Sequence, residues 1–127
     1  MLATAWAEAI SARDVDTECA LYAPEIVLIE GSSRLEGIEA VRAQRAVFYD
    51  VAEVFRITPI DFVTEQSTCV MRYDFYSRFG KDLAGFPTTG KESRVGGMAR
   101  LSTQGGRITE VYDLFDSLRW ARDLGIG

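Results

Sequence analysis

Thr68 to Phe79 reads TCVMRYDFYSRF, and its alternation decides the fold. Met71, Tyr73 and Phe75 alternate with Arg72, Asp74 and the other polar residues of the stretch. Side chains of an extended chain point to opposite faces at every step, so this pattern is that of a long strand with one apolar face. The same period runs through Phe55 to Glu65, Lys91 to Ser102 and Arg107 to Phe115. These four strands are separated by EQST, by the loop GKDLAGFPTTG and by the tight TQGG turn.

Toward the N-terminus the period becomes helical. Leu2, Ala5, Trp6, Ala9 and Ile10 define an amphipathic helix ending near Ser11 to Arg13. Asp14 then reads as an N-cap, and Val15 to Tyr22 as a second helix stopped by Ala23-Pro24. Ile26 to Ile29 form a first strand, followed by SSRLEG as a turn with a short extended piece. A third helix is expected from Ile38 to Val54, with Ile38, Val41, Ala46, Phe48 and Val51 inward and Arg42, Gln44 and Arg45 on the wetter side. Asp116 caps a short terminal helix carrying Leu118, Trp120 and Leu124. Helices first and a meander of strands afterwards predict a single α+β domain over residues 1–127, a curved antiparallel sheet wrapped around three N-terminal helices.

The formal charge of −5 and the lack of a Lys/Arg cluster argue against nucleic acid or an anionic membrane as partner. No apolar run approaches a bilayer span, and MLATAWAEAIS lacks the basic start of a signal peptide, so a cytoplasmic protein is expected. Cys19 and Cys69, in no CxxC arrangement, read as buried free thiols. The chain has no histidine, which removes the commonest general base, the commonest metal ligand and every Ser-His or Cys-His pair. Catalysis, if present, runs on carboxylates, tyrosines, arginines or lysines, with no metal and no cofactor expected.

The words AEAISARDVDTECALYAPEIVLIEG, LEGIEAVRAQ, FPTTGKESRVGGMARLS and GGRITEVYDLFD, in this order, resemble the nuclear transport factor 2-like superfamily, and within it the SnoaL-like and ketosteroid isomerase-like enzymes. The resemblance covers nearly the whole chain. It implies a cone whose mouth holds a small hydrophobic molecule, and it implies candidate residues. Glu30, the acid closing the greasy IVLIEG strand, falls where the isomerases carry their proton-moving aspartate. It either faces the cone, desolvated and able to accept and return a proton, or leans on the rim against turn amides. The oxyanion-donating tyrosine of those enzymes matches Trp6, and their protonated acid falls around Gly97, where there is no carboxyl, which argues against steroid isomerisation.

Asp113 matches the in-facing aspartate of SnoaL-type polyketide cyclases and limonene epoxide hydrolase-like enzymes. Val111, Asp113 and Phe115 share a strand face, which suits a cavity wall; the alternative puts Tyr112 and Leu114 inside and Asp113 in water. Arg72 and Asp74 resemble the epoxide hydrolase-like pattern in which an arginine bridges two aspartates, here Asp74 and Asp113. They also read as a cross-strand ion pair on a polar sheet face. Where that pattern places a tyrosine and an asparagine, this chain has Leu28 and Glu30. Trp6, Tyr22, Phe48, Tyr49, Phe62, Tyr76, Phe86 and Phe115 suffice to line the cone, with Phe86-Pro87 a candidate lid in the long loop, although core packing accounts for most of them equally. The readings left open are a carboxylate acid-base enzyme (isomerase, cyclase or epoxide hydrolase-like), a non-catalytic binding module, and a dimerisation domain. A homodimer is expected through a convex sheet face bearing Met71, Tyr73 and Phe75.

Overall fold

The computed structural model describes residues Met1–Gly127. In chain order the elements are α1 (Leu2–Ser11), α2 (Val15–Ala20), β1 (Tyr22–Glu30), β2 (Ser33–Glu36), α3 (Ile38–Val51), β3 (Ala52–Glu65), β4 (Thr68–Phe79), β5 (Glu92–Gln104), β6 (Arg107–Phe115) and α4 (Ser117–Leu124). The six strands form one unclosed sheet in the order β2-β1-β6-β5-β4-β3. All neighbours are antiparallel except β1 and β6, which run parallel and join the two ends of the chain. The sheet is therefore mixed, where a wholly antiparallel one was expected. The helices pack on its inner face: α1 lies against β3, and α3 spans β1, β2 and β3. No helix is long and apolar enough to cross a membrane.

Local chemistry accounts for the element ends. Asp14 accepts from the Thr17 N–H and caps α2, and Asp116 accepts from the Arg119 N–H and caps α4. Gly125, in the left-handed region at φ 76°, closes α4 while the Ile126 N–H reaches back to the Ala121 carbonyl. Gly105 and Gly106 both have positive φ, as a two-residue hairpin between β5 and β6 requires. Irregular pairing of β3 with β4 around Pro59 and Asp61 bends this long edge strand.

Two helix ends and one helix face differ from expectation. The second helix stops at Ala20, and Tyr22 opens β1 instead of ending the helix. Its ring is fully buried, and Pro24 sits exposed where the register of β1 against β6 shifts, a place where a missing N–H costs no ladder bond. The third helix ends at Val51, so Ala52 to Val54 belong to β3. Arg45, expected on the wet side of that helix, is 3% exposed, whereas Ala46 is exposed.

Alternation in β4 holds along its whole length, but the faces are the reverse of those expected. Met71, Tyr73 and Phe75 are buried under the helices with Leu28, Val95, Ala99 and Val111, and are unavailable to a second subunit. Arg72, Asp74 and Tyr76 point outward. The exposed apolar residues of the outer face are Ile60, Val63, Met98, Tyr112 and Leu114. A smaller core of Val51, Ala52, Phe79, Leu83 and Leu124 closes the far end, beneath the loop between β4 and β5. Cys19 and Cys69 are both free and buried.

Candidate functional site

The inward residues near the C-terminal end of β6 and the side chains of α3 and α4 enclose a cavity of about 340 Å³. Its walls are the rings of Phe48, Phe55, Phe75, Phe115 and Trp120, and its mouth is Gly31, Ser32, Ser33 and Ser117, all exposed. Two carboxylates enter it, those of Glu30 and Asp113. They are direct register partners across the parallel β1/β6 pair, so the one parallel ladder in the sheet is what sets the acids side by side.

Asp113 is 4% exposed and lies opposite Ala99 of β5. The Tyr73 hydroxyl, from β4, donates to its Oδ1. To do so the Tyr73 ring must cross β5, and the chain allows it by placing Gly97 there: a Cβ at this position would lie 2.5 Å from the Tyr73 Cζ and hydroxyl oxygen. Burial pushes the Asp113 carboxyl up from 3.8 to about 7; the Tyr73 hydrogen bond and Arg45 oppose the rise, and Glu30 adds to it. Burial, followed by the adjacent Asp113 charge, raises the Tyr73 hydroxyl far above its ordinary value, so Tyr73 stays protonated and acts as a donor. The second oxygen of Asp113 has no hydrogen-bond partner in the protein.

Glu30 is held differently. Its carboxylate accepts from Arg45 Nη1 at 3.3 and 3.4 Å and from Gln44 Nε2 at 3.3 Å, and its side chain is 16% exposed. It is neither a bare rim charge nor an isolated acid in grease. Arg45 in turn is anchored by Glu18 of α2, which is 0% exposed and takes Nε at 3.0 Å and Nη2 at 2.9 Å. Tyr22 donates to Glu18, and the Trp6 indole N–H donates to the Tyr22 hydroxyl at 2.9 Å. Burial opposes the Arg45 charge, but Glu30 and Glu18 more than offset it, so the guanidinium is held well above its ordinary value. A buried chain of polar groups thus runs from α1 to the cavity. The one fully enclosed side-chain polar atom without a partner is the Tyr49 hydroxyl, whereas the free oxygen of Asp113 opens onto the cavity. No three His, Cys, Asp or Glu side chains are grouped as metal ligands would be.

The family model described as SnoaL-like domain matches residues 3–111, most of the chain. This chain belongs to the SnoaL-like family. Solved structures carry the same fold to the C-terminus of the domain. A presumed SnoaL-like polyketide cyclase from Shewanella denitrificans superposes with TM-score 0.86 at 19% identity, over 97% of this domain and 93% of that chain. TsrD from Streptomyces laurentii does so with TM-score 0.82 at 25% identity, over 98% and 92%. A hypothetical protein of ketosteroid isomerase-like fold from Catenulispora acidiphila, in complex with trimethylamine, matches with TM-score 0.82 at 18% identity, over 99% and 93%. Among curated proteins none matches.

Of the residues singled out in the sequence, the SnoaL-like domain brings Glu30, Asp113, Phe48 and Phe115 to one cavity. Arg72 and Asp74 are elsewhere: both are exposed on the outer face, and Arg72 pairs with Asp61 at 3.1 Å, so it cannot bridge Asp74 to Asp113 through the sheet. Trp6, Tyr22 and Val111 are fully buried core residues behind the cavity, because their partners lie among the helices and β1. Tyr49 packs edge-on against Phe55 at 5.7 Å, outside the cavity wall, and Phe62 packs on the core beyond the bend in β3. Tyr76 stands on the outer face, donating to Glu92 beneath Arg94. Phe86 is exposed in a loop no residue of which lines the cavity, so the lid expectation does not stand. Tyr73, Arg45, Gln44, Phe55, Phe75 and Trp120 line the cavity and were not foreseen there. The one local signal for Tyr73 was the glycine pair in VGGMA.

Proposed function

We propose that this SnoaL-like domain is a cofactor-independent acid-base enzyme that isomerises or cyclises a small hydrophobic compound, with Asp113 moving the proton. The observation that carries the reading is the state of Asp113: buried, brought to about 7, tied by one oxygen to Tyr73, and with the other oxygen unpartnered at an aromatic cavity. A carboxyl that titrates near neutrality is present in both forms, so it can give a proton to a substrate oxygen and take one from carbon. Tyr73 orients it. Glu30, tethered by Arg45 and Gln44, is the second acid of the site and supplies fixed charge beside Asp113. With Arg72 and Asp74 outside the cavity, the bridged pair of an epoxide hydrolase-like site is missing, which favours proton shuttling over water activation.

The test is Asp113→Asn, assayed against cyclic β-dicarbonyls and polyketide-like aromatics first selected by thermal shift. Turnover is expected to fall about a hundredfold or more with ligand binding nearly intact. Ligands bound equally by both proteins and converted by neither would refute catalysis. They would support the second reading, a binding module, which the trimethylamine complex of the Catenulispora relative favours.

A further inference from the structure

We propose that the ligand of this cavity is an organic cation, a compound bearing a protonated or quaternary amine that rests on the aromatic wall and faces the Glu30 and Asp113 carboxylates. The proposal builds on the reading of this cavity as the functional site and adds the chemical class of its occupant.

Three observations lead to it. The first is a tally of hydrogen-bond donors. Arg45 spends Nε and Nη2 on Glu18, and Nη1 on Glu30 and on Gln44 Oε1 at 2.7 Å. The Tyr73 hydroxyl is spent on Asp113, and the Trp120 indole N–H on Ser77 Oγ at 2.9 Å. The interior of the cavity therefore offers an incoming carboxylate, phosphate or enolate few donors: the second N–H groups of Gln44 Nε2 and Arg45 Nη2, the Asp113 proton while that carboxyl is protonated, and the exposed serines at the mouth. Acceptors, by contrast, are left over: the second oxygen of Asp113 is unpartnered, and the bonds that reach Glu30 are 3.3 to 3.4 Å long.

The second observation is charge. Arg45 is shared between Glu18 and Glu30, so the three formal charges sum to a single negative one, and Asp113 adds a second negative charge whenever it ionises. An anion would meet repulsion in a poorly solvated site, while a cation would be drawn in. The third is the wall. Phe48, Phe55, Phe75, Phe115 and Trp120 are continuous, with successive centroids at 6.2 (48–55), 4.9 (55–75), 5.5 (75–115) and 5.8 Å (115–120). Trp120 also returns to Phe48 at 6.1 Å. With the Trp120 N–H engaged on Ser77, the wall contributes aromatic carbon and no N–H donor, and aromatic faces hold quaternary ammonium groups through the ring quadrupole.

Choline and its neutral carbon isostere 3,3-dimethylbutan-1-ol, which have nearly the same shape, separate charge from size. Each is titrated by NMR into wild type, Glu30→Gln and Asp113→Asn, at about pH 5 and about pH 8. The groups facing Asp113 are Tyr73 from β4, Glu30 from β1 and Arg45 from α3, and neither Tyr73 nor Arg45 changes charge in this range. Choline is expected to bind roughly tenfold more tightly than the alcohol at the higher pH, the preference shrinking severalfold at the lower pH in wild type but not in Asp113→Asn. Glu30→Gln, at a partly solvated position, is expected to weaken choline alone. Equal or tighter binding of the alcohol, a preference independent of pH in wild type, or no choline binding at all overturns the proposal. The acid-base reading is judged separately, by the turnover of Asp113→Asn, and survives a result in which only the neutral isostere binds.

Discussion

Replacing Asp113 by asparagine should make the protein more stable, and by an amount that depends on pH. In the fold, burial raises this carboxyl from 3.8 to about 7, so the native state keeps a proton that the unfolded chain has already lost. Below about pH 4 both states are protonated and the group has no effect. Between about pH 4 and 7 the native state binds more protons than the unfolded one, so stability falls as pH rises, and above 7 the loss is complete. At about 1.4 kcal/mol per tenfold change in proton affinity, the full loss is about 4 kcal/mol. Asparagine has the same shape, can still accept from Tyr73, and never ionises. The gap between variant and wild type should therefore open from near zero at about pH 4 to about 4 kcal/mol at pH 8. With an unfolding entropy of about 2.1 cal/mol/K per residue over the 127 residues, that is about 15 °C in Tm. Thermal melts of the two proteins across this range, followed by circular dichroism, measure the gap, and carboxylates that do not interact with Asp113 cancel in the comparison, Glu30 being the one neighbour that does interact. Two melting curves that stay parallel from pH 4 to 8 would refute the claim that the fold holds Asp113 near neutrality, and with it the physical basis of the acid-base site.

Gly97→Ala places a methyl group 2.5 Å from the Tyr73 ring, which must swing off β5; a loss of about 1 to 3 kcal/mol in urea melts is expected, with the Asp113 titration moving upward as its hydrogen bond is lost. An unchanged Asp113 titration would mean that Tyr73 is not what holds it. Glu18→Gln leaves Arg45 with Glu30 as its one counter-charge and removes its shortest carboxylate contact, and should destabilise by about 1.5 to 3 kcal/mol, whereas Glu18→Gln combined with Arg45→Met should recover part of that loss, as chemical denaturation will show.

Much of the architecture follows from local rules that the chain obeys on its own. The two-residue period of Thr68 to Phe79 requires a strand, Asp14 and Asp116 sit where unpaired helical N–H groups need an acceptor, and Gly105-Gly106 can adopt the positive φ of a tight hairpin. The order of these elements carried the family resemblance, and the acids that enter the cavity, Glu30 and Asp113, were visible in the sequence as carboxylates among greasy strand residues. Tertiary structure decided the rest, for reasons of range. Alternation in β4 defines two faces but not which one the helices cover, so Tyr73 was read as facing out and Arg72 as facing in. No pattern around Arg45 reports that Glu18, in another helix, waits to neutralise it; an arginine is wet or buried according to a partner 27 residues away. The juxtaposition of Glu30 with Asp113 depends on β1 pairing parallel with β6, a contact between strands at opposite ends of the chain. Local sequence sets what each residue can do, whereas burial, charge balance and proton affinity are properties of neighbours that only the folded chain brings together.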